Sequence, residues 1–183
     1  GAIMENKSDS YSYNLNGNLS FLFKIAKGLT LNVQGGVDYA HSPSYSFASS
    51  KVSVASKNSM SNSSNMHRYW QNTNNLSYNG KFGQHTLALN AVWEMSGTYD
   101  TAMSISGSNL SNEDVGYWNV NNASTHSQSN SYSGSTLASG IGRVSYDYDK
   151  RYFISAAFRA DGSSKFQGKN KWGFLLFSGF IIL

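Results

Sequence analysis

The sequence predicts an all-β protein, an antiparallel up-and-down meander of six to eight long strands that forms a β-barrel. Three observations predict it. Ser, Asn and Gly account for 70 of the 183 residues, and these residues disfavour long helices. Apolar and polar side chains alternate with period 2 in several segments. The connections between these segments are alternately short and long, as in a chain of hairpins.

The first hairpin is predicted over residues 11–39. From 11 to 25 the odd positions are mostly apolar or aromatic and the even positions are mostly Asn and Ser, and the pattern resumes over 29–39. Ala26-Lys27-Gly28 supplies a tight turn between them. The two strands therefore present one apolar face and one polar face.

Four more strands follow along the chain. A weaker pattern over 67–78 predicts the third strand, and a turn at 79–84 leads into a clear fourth strand from about 87 to 95. Residues 138–148 and 152–160 alternate on either side of a turn at Asp149-Lys150. They predict a last hairpin.

The lengths of strands and connections favour a membrane barrel. The predicted strands run about 11 to 16 residues, whereas soluble strands have about 5 or 6. Long polar connections are expected at 41–66, at 100–134 and from 161 onward. Short turns at one end and long loops at the other are typical of an outer-membrane β-barrel. An ordinary antiparallel sheet with one wet face alternates in the same way and stays the alternative at this point.

A stretch near the end of the chain resembles a known family. It reads Gly142-Arg143-Val144-Ser145-Tyr146-Asp147-Tyr148, Arg151-Tyr152-Phe153, Arg159-Ala160-Asp161-Gly162-Ser163-Ser164-Lys165-Phe166 and Asn170-Lys171-Trp172-Gly173-Phe174. In order, spacing and strand context it is similar to the SusC/RagA family of TonB-dependent outer-membrane transporters of Bacteroidetes. About 35 residues carry the resemblance, and the earlier hairpins are similar only in style.

The resemblance implies a function and partners. It implies that residues 1–183 are a single barrel fragment of an energised outer-membrane importer of nutrients, of the oligosaccharide type, with a SusD-like lipoprotein and TonB as partners. The family's signal peptide, carboxypeptidase-like domain, TonB box and plug are not in this sequence. Leu175-Leu176-Phe177 replaces the family's Pro-Ser, which predicts a non-native tail over 174–183.

Other classes of site find little support. The chain has no Cys and a net charge of +4 without a long basic run, which disfavours disulfides, thiolate metal sites and nucleic acid. His41, His67, His85 and His126 are scattered, so no metal, cofactor or catalytic residue is predicted and the protein is not expected to be an enzyme. Tyr117 and Trp118 form the one candidate ligand site, for stacking on a sugar ring. Their alternative role is to anchor a long loop.

Two further expectations concern the chain by itself. A second functional hypothesis is a small self-contained barrel that binds an apolar or carbohydrate ligand, in the manner of lipocalins. If the isolated fragment is soluble, we expect the sheet to curl inside out or to self-associate. Either arrangement would bury Leu19, Phe21, Leu31 and Leu89 and protect the sheet edges.

Overall fold

The computed structural model describes residues 5–53, 57–165 and 172–182. Over these ranges the chain is all-β, as predicted, with one 3₁₀ turn at Val120–Asn122. Within the same ranges, no helix is long and apolar enough to cross a membrane. The strands are β1 Lys7–Ser10, β2 Tyr13–Ala26, β3 Leu29–Ala48, β4 Ser59–Phe82, β5 His85–Leu110, β6 Ala123–Tyr148, β7 Tyr152–Ser163 and β8 Trp172–Ile182.

The predicted antiparallel meander is confirmed. Strands β3 to β8 lie side by side in chain order, and β1 and β2 both pair with β3. The β6–β7 register runs from Leu137 opposite Ser163 to Tyr148 opposite Tyr152. The strand order ends at β8, and the described pairings do not join β8 back to the first strands. The sheet is thus not closed into a barrel by this chain.

The short turns lie where the sequence predicts them. The β2–β3 turn places Gly28 at φ 77°, and the β4–β5 turn places Gly83 at φ 61°. Asp149 and Lys150 adopt φ 52° and 55° between β6 and β7. Left-handed backbone of this kind is what tight hairpins require.

The strands extend well beyond their predicted ends. The connections expected at 41–66 and 100–134 shrink to 49–58 and 111–122, because β3, β4, β5 and β6 continue into Ser-rich sequence. Cross-strand hydroxyl pairs support these extensions, namely Ser104–Ser129 at 2.9 Å, Ser106–Ser127 at 2.9 Å and Ser108–Thr125 at 2.8 Å. The long-loop prediction was wrong because backbone pairing does not require a continuous apolar face, and cross-strand hydroxyl pairs can replace apolar neighbours.

The chain divides into two compact units. Unit 1 comprises Gly1–Leu15, Asp38–Arg68 and Tyr99–Gly134, and unit 2 comprises Asn16–Val37, Tyr69–Thr98 and Ser135–Leu183. The core cluster of the described residues lies in unit 1 and consists of Phe47, Met60, Leu110 and Tyr117.

Unit 2 keeps its apolar side chains on the surface. Leu19 and Phe21 are 68% and 54% exposed, and Leu89 is exposed as well. The inside-out closure expected for a soluble fragment is thus not the arrangement in this structure, although Leu31 is half-buried, and self-association stays a prediction. Hydrogen bonds across the polar face hold the sheet as it is; Asn90 Nδ2 donates to Asn75 Oδ1 at 2.6 Å, for example.

The last strand contains most of the tail. Residues from Phe174 to Ile182 continue β8, which pairs with β7 from Trp172 opposite Gly162 to Ile182 opposite Tyr152. Because backbone pairing does not depend on which side chains are present, it does not test whether these residues are native. The non-native tail over 174–183 stays a prediction.

Candidate functional site

A carboxylate fastens the β5–β6 loop, residues 111–122, to the β3–β4 loop. Glu113 accepts hydrogen bonds from Ser49 Oγ at 2.6 Å, from the Ser50 amide at 3.1 Å and from Asn58 Nδ2 at 2.8 Å. The Ser50 hydroxyl bonds to the same carboxylate. Asn58 also holds the Leu110 backbone on both its amide and its carbonyl. Glu113 thus joins the β5–β6 loop to Ser49, Ser50 and Asn58, and we call these four residues the Glu113 lock.

The lock depends on a charged carboxylate. The hydrogen bonds from Ser49, Ser50 and Asn58 lower the pKa of Glu113 from 4.5 to about 2, although burial acts in the opposite direction. All of these partners are donors, so the protonated acid satisfies them less well. Glu113 thus remains ionised at any physiological pH.

Replacing this carboxylate should loosen both loops. Glu113→Gln presents an amide N–H₂ to donors, and we expect the local opening free energy to fall by about 1–3 kcal/mol. Hydrogen exchange at the Ser50 and Leu110 amides measures this loss. Asp114→Asn is the matched control, because it removes a neighbouring exposed carboxylate without changing the lock. Equal exchange rates in the two variants would contradict the role of Glu113.

The same exchange measurement predicts a pH dependence. Because the folded pKa lies below the ordinary value, the lock contributes its full stability above about pH 4.5 and loses it as the pH falls toward 2. Protection at Ser50 should be constant from pH 7 to 5 and should drop below that range. The Glu113→Gln variant should show no such drop.

The two predicted ligand-binding residues are in contact but differ in exposure. Tyr117 is buried, its ring centroid lies 5.0 Å from that of Trp118 and 5.6 Å from that of Tyr45, and its hydroxyl donates to Asp9. This bond raises the pKa of Tyr117 to about 12. Trp118 is 74% exposed and lies 5.6 Å from Tyr45. Tyr117 is thus an anchor of the loop, and Trp118 with Tyr45 presents aromatic surface.

A cavity of about 530 Å³ opens beside Tyr45. Its wall combines apolar side chains with neutral polar ones, and the lining residues include Tyr45, Asn62, Met103, Ile105, Gln128 and Asn130. Asn62 Nδ2 donates to the Tyr117 carbonyl at 2.8 Å, whereas its buried Oδ1 has no hydrogen-bond partner among the residues that the structure describes. We call this the amide pocket. A buried acceptor without a partner is costly, so a ligand donor would be favourable there.

A second concave surface of unit 1, which we call the hydroxyl groove, is lined by residues of β1, β3, β4, β5 and β6. It has a volume of about 600 Å³, and its hydroxyl side chains include Ser46, Ser61, Ser106, Ser108, Thr125 and Ser127. On β5, a Cβ at Gly107 would meet Val120 and Ala123 under the loop. Because alternate residues face opposite ways, Ser106 and Ser108 point away from the loop and from Tyr117.

Sequence reasoning missed both cavities. The signal for the hydroxyl groove was present, since Ser or Thr stands at alternate positions over 104–108 and over 125–133. The amide pocket had no comparable signal, because it combines residues from four separate segments.

The four histidines remain apart. His41 Nε2 bonds to Ser64 Oγ at 2.9 Å, His67 Nδ1 lies 2.6 Å from Asp100, and His85 Nδ1 lies 2.6 Å from the Tyr146 hydroxyl. His126 borders the hydroxyl groove. In the described part of the chain, no three His, Cys, Asp or Glu side chains form a group suited to a metal ion.

Sequence comparisons identify relatives in one organism. TonB-dependent receptor P3 of Formosa agariphila is 32% identical over 102 residues, covering 55% of this chain and 10% of the relative. TonB-dependent receptor P39 of the same organism is 24% identical over 159 residues, covering 82% of this chain and 15% of the relative. The chain thus spans a small part of the length of these receptors. No family model matches the sequence.

Solved structures show the same fold. The RagAB peptide transporter matches 97% of this chain with a TM-score of 0.83, at 19% identity and over 20% of the matched chain. The RagAB peptide importer in its closed-closed state gives a TM-score of 0.81 with the same coverage. The named relatives are receptors and transporters rather than enzymes. These findings confirm that the chain resembles a barrel portion of the SusC/RagA-like TonB-dependent outer-membrane transporters.

Proposed function

We propose that residues 1–183 form one wall segment of a TonB-dependent outer-membrane nutrient importer and carry no catalytic activity of their own. The fold match to RagAB over 97% of the chain is the observation that carries the proposal. The similarity to TonB-dependent receptors supports it independently of the fold. In this proposal TonB and a SusD-like lipoprotein are partners of the whole protein, and the outer membrane is its location.

The polar face of this segment lines the transport path. In unit 1 that face is the hydroxyl groove, whose hydroxyl groups both donate and accept hydrogen bonds and carry no charge. Such a surface fits an uncharged polyhydroxylated substrate, and we propose an oligosaccharide. A peptide is the second candidate, because RagAB is named a peptide transporter and hydroxyl groups also bond to peptide backbones.

Binding to the chain refolded in detergent tests the substrate class. We expect a neutral oligosaccharide such as maltoheptaose to bind the hydroxyl groove and a Gly/Ser-rich peptide to bind more weakly, as measured by calorimetry. The double variant Ser106→Ala/Ser127→Ala should weaken sugar binding about tenfold, since it removes one pair of lining hydroxyls.

A second hydroxyl pair provides the control. Ser10 Oγ and Ser44 Oγ are 3.0 Å apart and do not line the groove, so Ser10→Ala/Ser44→Ala should leave binding unchanged. Stronger binding of the peptide would favour the second candidate. Equal effects of the two double variants would contradict substrate contact at the groove.

A further inference from the structure

A row of aromatic side chains crosses unit 1. The ring centroids of Tyr13 and His41 are 6.1 Å apart, and those of Tyr99 and Tyr132 are 6.5 Å apart. The guanidinium carbon of Arg68 lies 5.9 Å from the centre of the Tyr99 ring. Tyr99 lies eight residues before Gly107 on β5, so both lie on the face that the loop covers. We call Tyr13, His41, Tyr99 and Tyr132 the aromatic row.

The aromatic row indicates where a membrane surface would lie. Outer-membrane barrels carry aromatic girdles on their lipid-facing side, where hydrocarbon meets the polar headgroups. On β2, Tyr13 shares its face with Leu15, whose side chain is exposed. The loop face is therefore the outward face of the wall, and the Ser106 and Ser108 hydroxyl groups of the hydroxyl groove are on the inward face.

The amide pocket lies on the outward face, on the side of the aromatic row away from Leu15. Tyr45 follows His41 by four residues on the same face of β3, a distance of about 13 Å along the strand. At that height outside an outer membrane, the groups in contact with the protein are the sugars of outer-leaflet lipids. A site for transported nutrient would instead be expected on the inward face.

The chemistry of the amide pocket fits a sugar ring. Trp118 and Tyr45 offer aromatic surface to the apolar face of a pyranose. The amides of Gln128 and Asn130 line the same pocket, and amides both donate and accept hydrogen bonds. The partnerless Oδ1 of Asn62 accepts a donor that a sugar hydroxyl supplies.

We propose that the amide pocket, together with Trp118, whose ring centroid lies 5.6 Å from that of Tyr45, binds an uncharged sugar ring of a glycolipid in the outer leaflet of the membrane. This inference rests on the proposed function only for the location of the chain in an outer membrane. It assigns to the exposed tryptophan a fixed lipid ligand rather than the transported nutrient.

Reconstitution into two kinds of vesicle tests the proposal. The chain is labelled with 5-fluorotryptophan and inserted into phosphatidylcholine vesicles with or without rough-type lipopolysaccharide. We expect the ¹⁹F resonance of Trp118, assigned by its loss in Trp118→Phe, to shift only with the glycolipid. Trp118→Ala and, separately, Gln128→Ala should weaken glycolipid binding at least tenfold.

Tyr11→Ala is the matched control, since Tyr11 is an exposed aromatic of the same unit that lies outside the amide pocket and outside the Tyr99–Tyr132 pair used to locate the membrane surface. Its glycolipid affinity should stay within twofold of the parent chain. A Trp118 shift caused by free maltoheptaose in plain phosphatidylcholine, or no shift with either ligand, would overturn the proposal. Failure of the chain to insert into either vesicle would count against the proposed function instead.

Discussion

Leu19→Lys should destabilise this chain in lipid vesicles by about 2–4 kcal/mol, the cost of placing a lysine on the lipid-facing side of a barrel strand near mid-depth. Leu19 lies within β2, and its side chain is 68% exposed on the apolar face. The described residues leave most of this side chain uncovered, so lipid is the environment that would make the leucine favourable. The substitution therefore tests whether the face contacts lipid.

The neighbouring residue gives an internal control. Asn18 precedes Leu19 on β2 and faces the opposite way, so Asn18→Lys should cost less than about 1 kcal/mol at nearly the same depth. Denaturant titration of both variants, refolded into phosphatidylcholine vesicles, measures the difference. Similar losses in the two variants would show that the apolar face does not contact hydrocarbon.

The predictable part of the fold is the part with alternating hydrophobicity. Leu15, Leu19 and Phe21 alternate with polar residues in the sequence, and Ala26-Lys27-Gly28 ends the run with a Gly suited to φ above zero. The ends of β5 and β6 were not predictable in this way. Their serine-rich extensions contain few apolar side chains, such as Met103 and Ile105 on β5, and the cross-strand partners identify them as strands.

The candidate site, too, is only partly predictable from the sequence. Tyr117 and Trp118 stand out as adjacent aromatics in a polar segment, but only the fold shows that Asp9, 108 residues away, binds the hydroxyl of Tyr117. Glu113 appears in the sequence only as half of an acidic pair with Asp114. Its role depends on Ser49 and Asn58, which are 64 and 55 residues away. Contacts over such separations are set by strand register, which the sequence pattern did not supply.

The segment that resembles the transporter family contains one contact that the sequence spacing permits and one that only the fold reveals. Arg159 and Asp161 are two residues apart and therefore share a face of β7, where Arg159 Nε lies 2.6 Å from Asp161 Oδ2. The spacing alone permits this pair. The additional bond from Ser139 Oγ to Asp161, at 2.6 Å, comes from the neighbouring strand. The motif thus joins β6 to β7 as well as ending β7.

Gly28→Ala should lower the stability of the chain by about 3 kcal/mol or more, as measured by denaturant titration in detergent. Gly28 has φ 77°, and a Cβ at this position would lie 2.1 Å from the backbone oxygen of Asn79. That overlap is with backbone rather than with a flexible side chain. The Asn79 amide also donates to the Gly28 carbonyl at 2.8 Å. The substitution therefore forces the β2–β3 turn away from β4.

Gly83→Ala separates this clash from backbone strain. Gly83 has φ 61°, but a Cβ there would meet no atom within 4 Å. Its replacement should cost only about 1–2 kcal/mol, the penalty for an L-residue in left-handed backbone. The difference between the two variants measures how tightly the first hairpin packs against β4. Equal losses would mean that the β2–β3 turn moves freely and that its close approach to Asn79 contributes nothing to the fold.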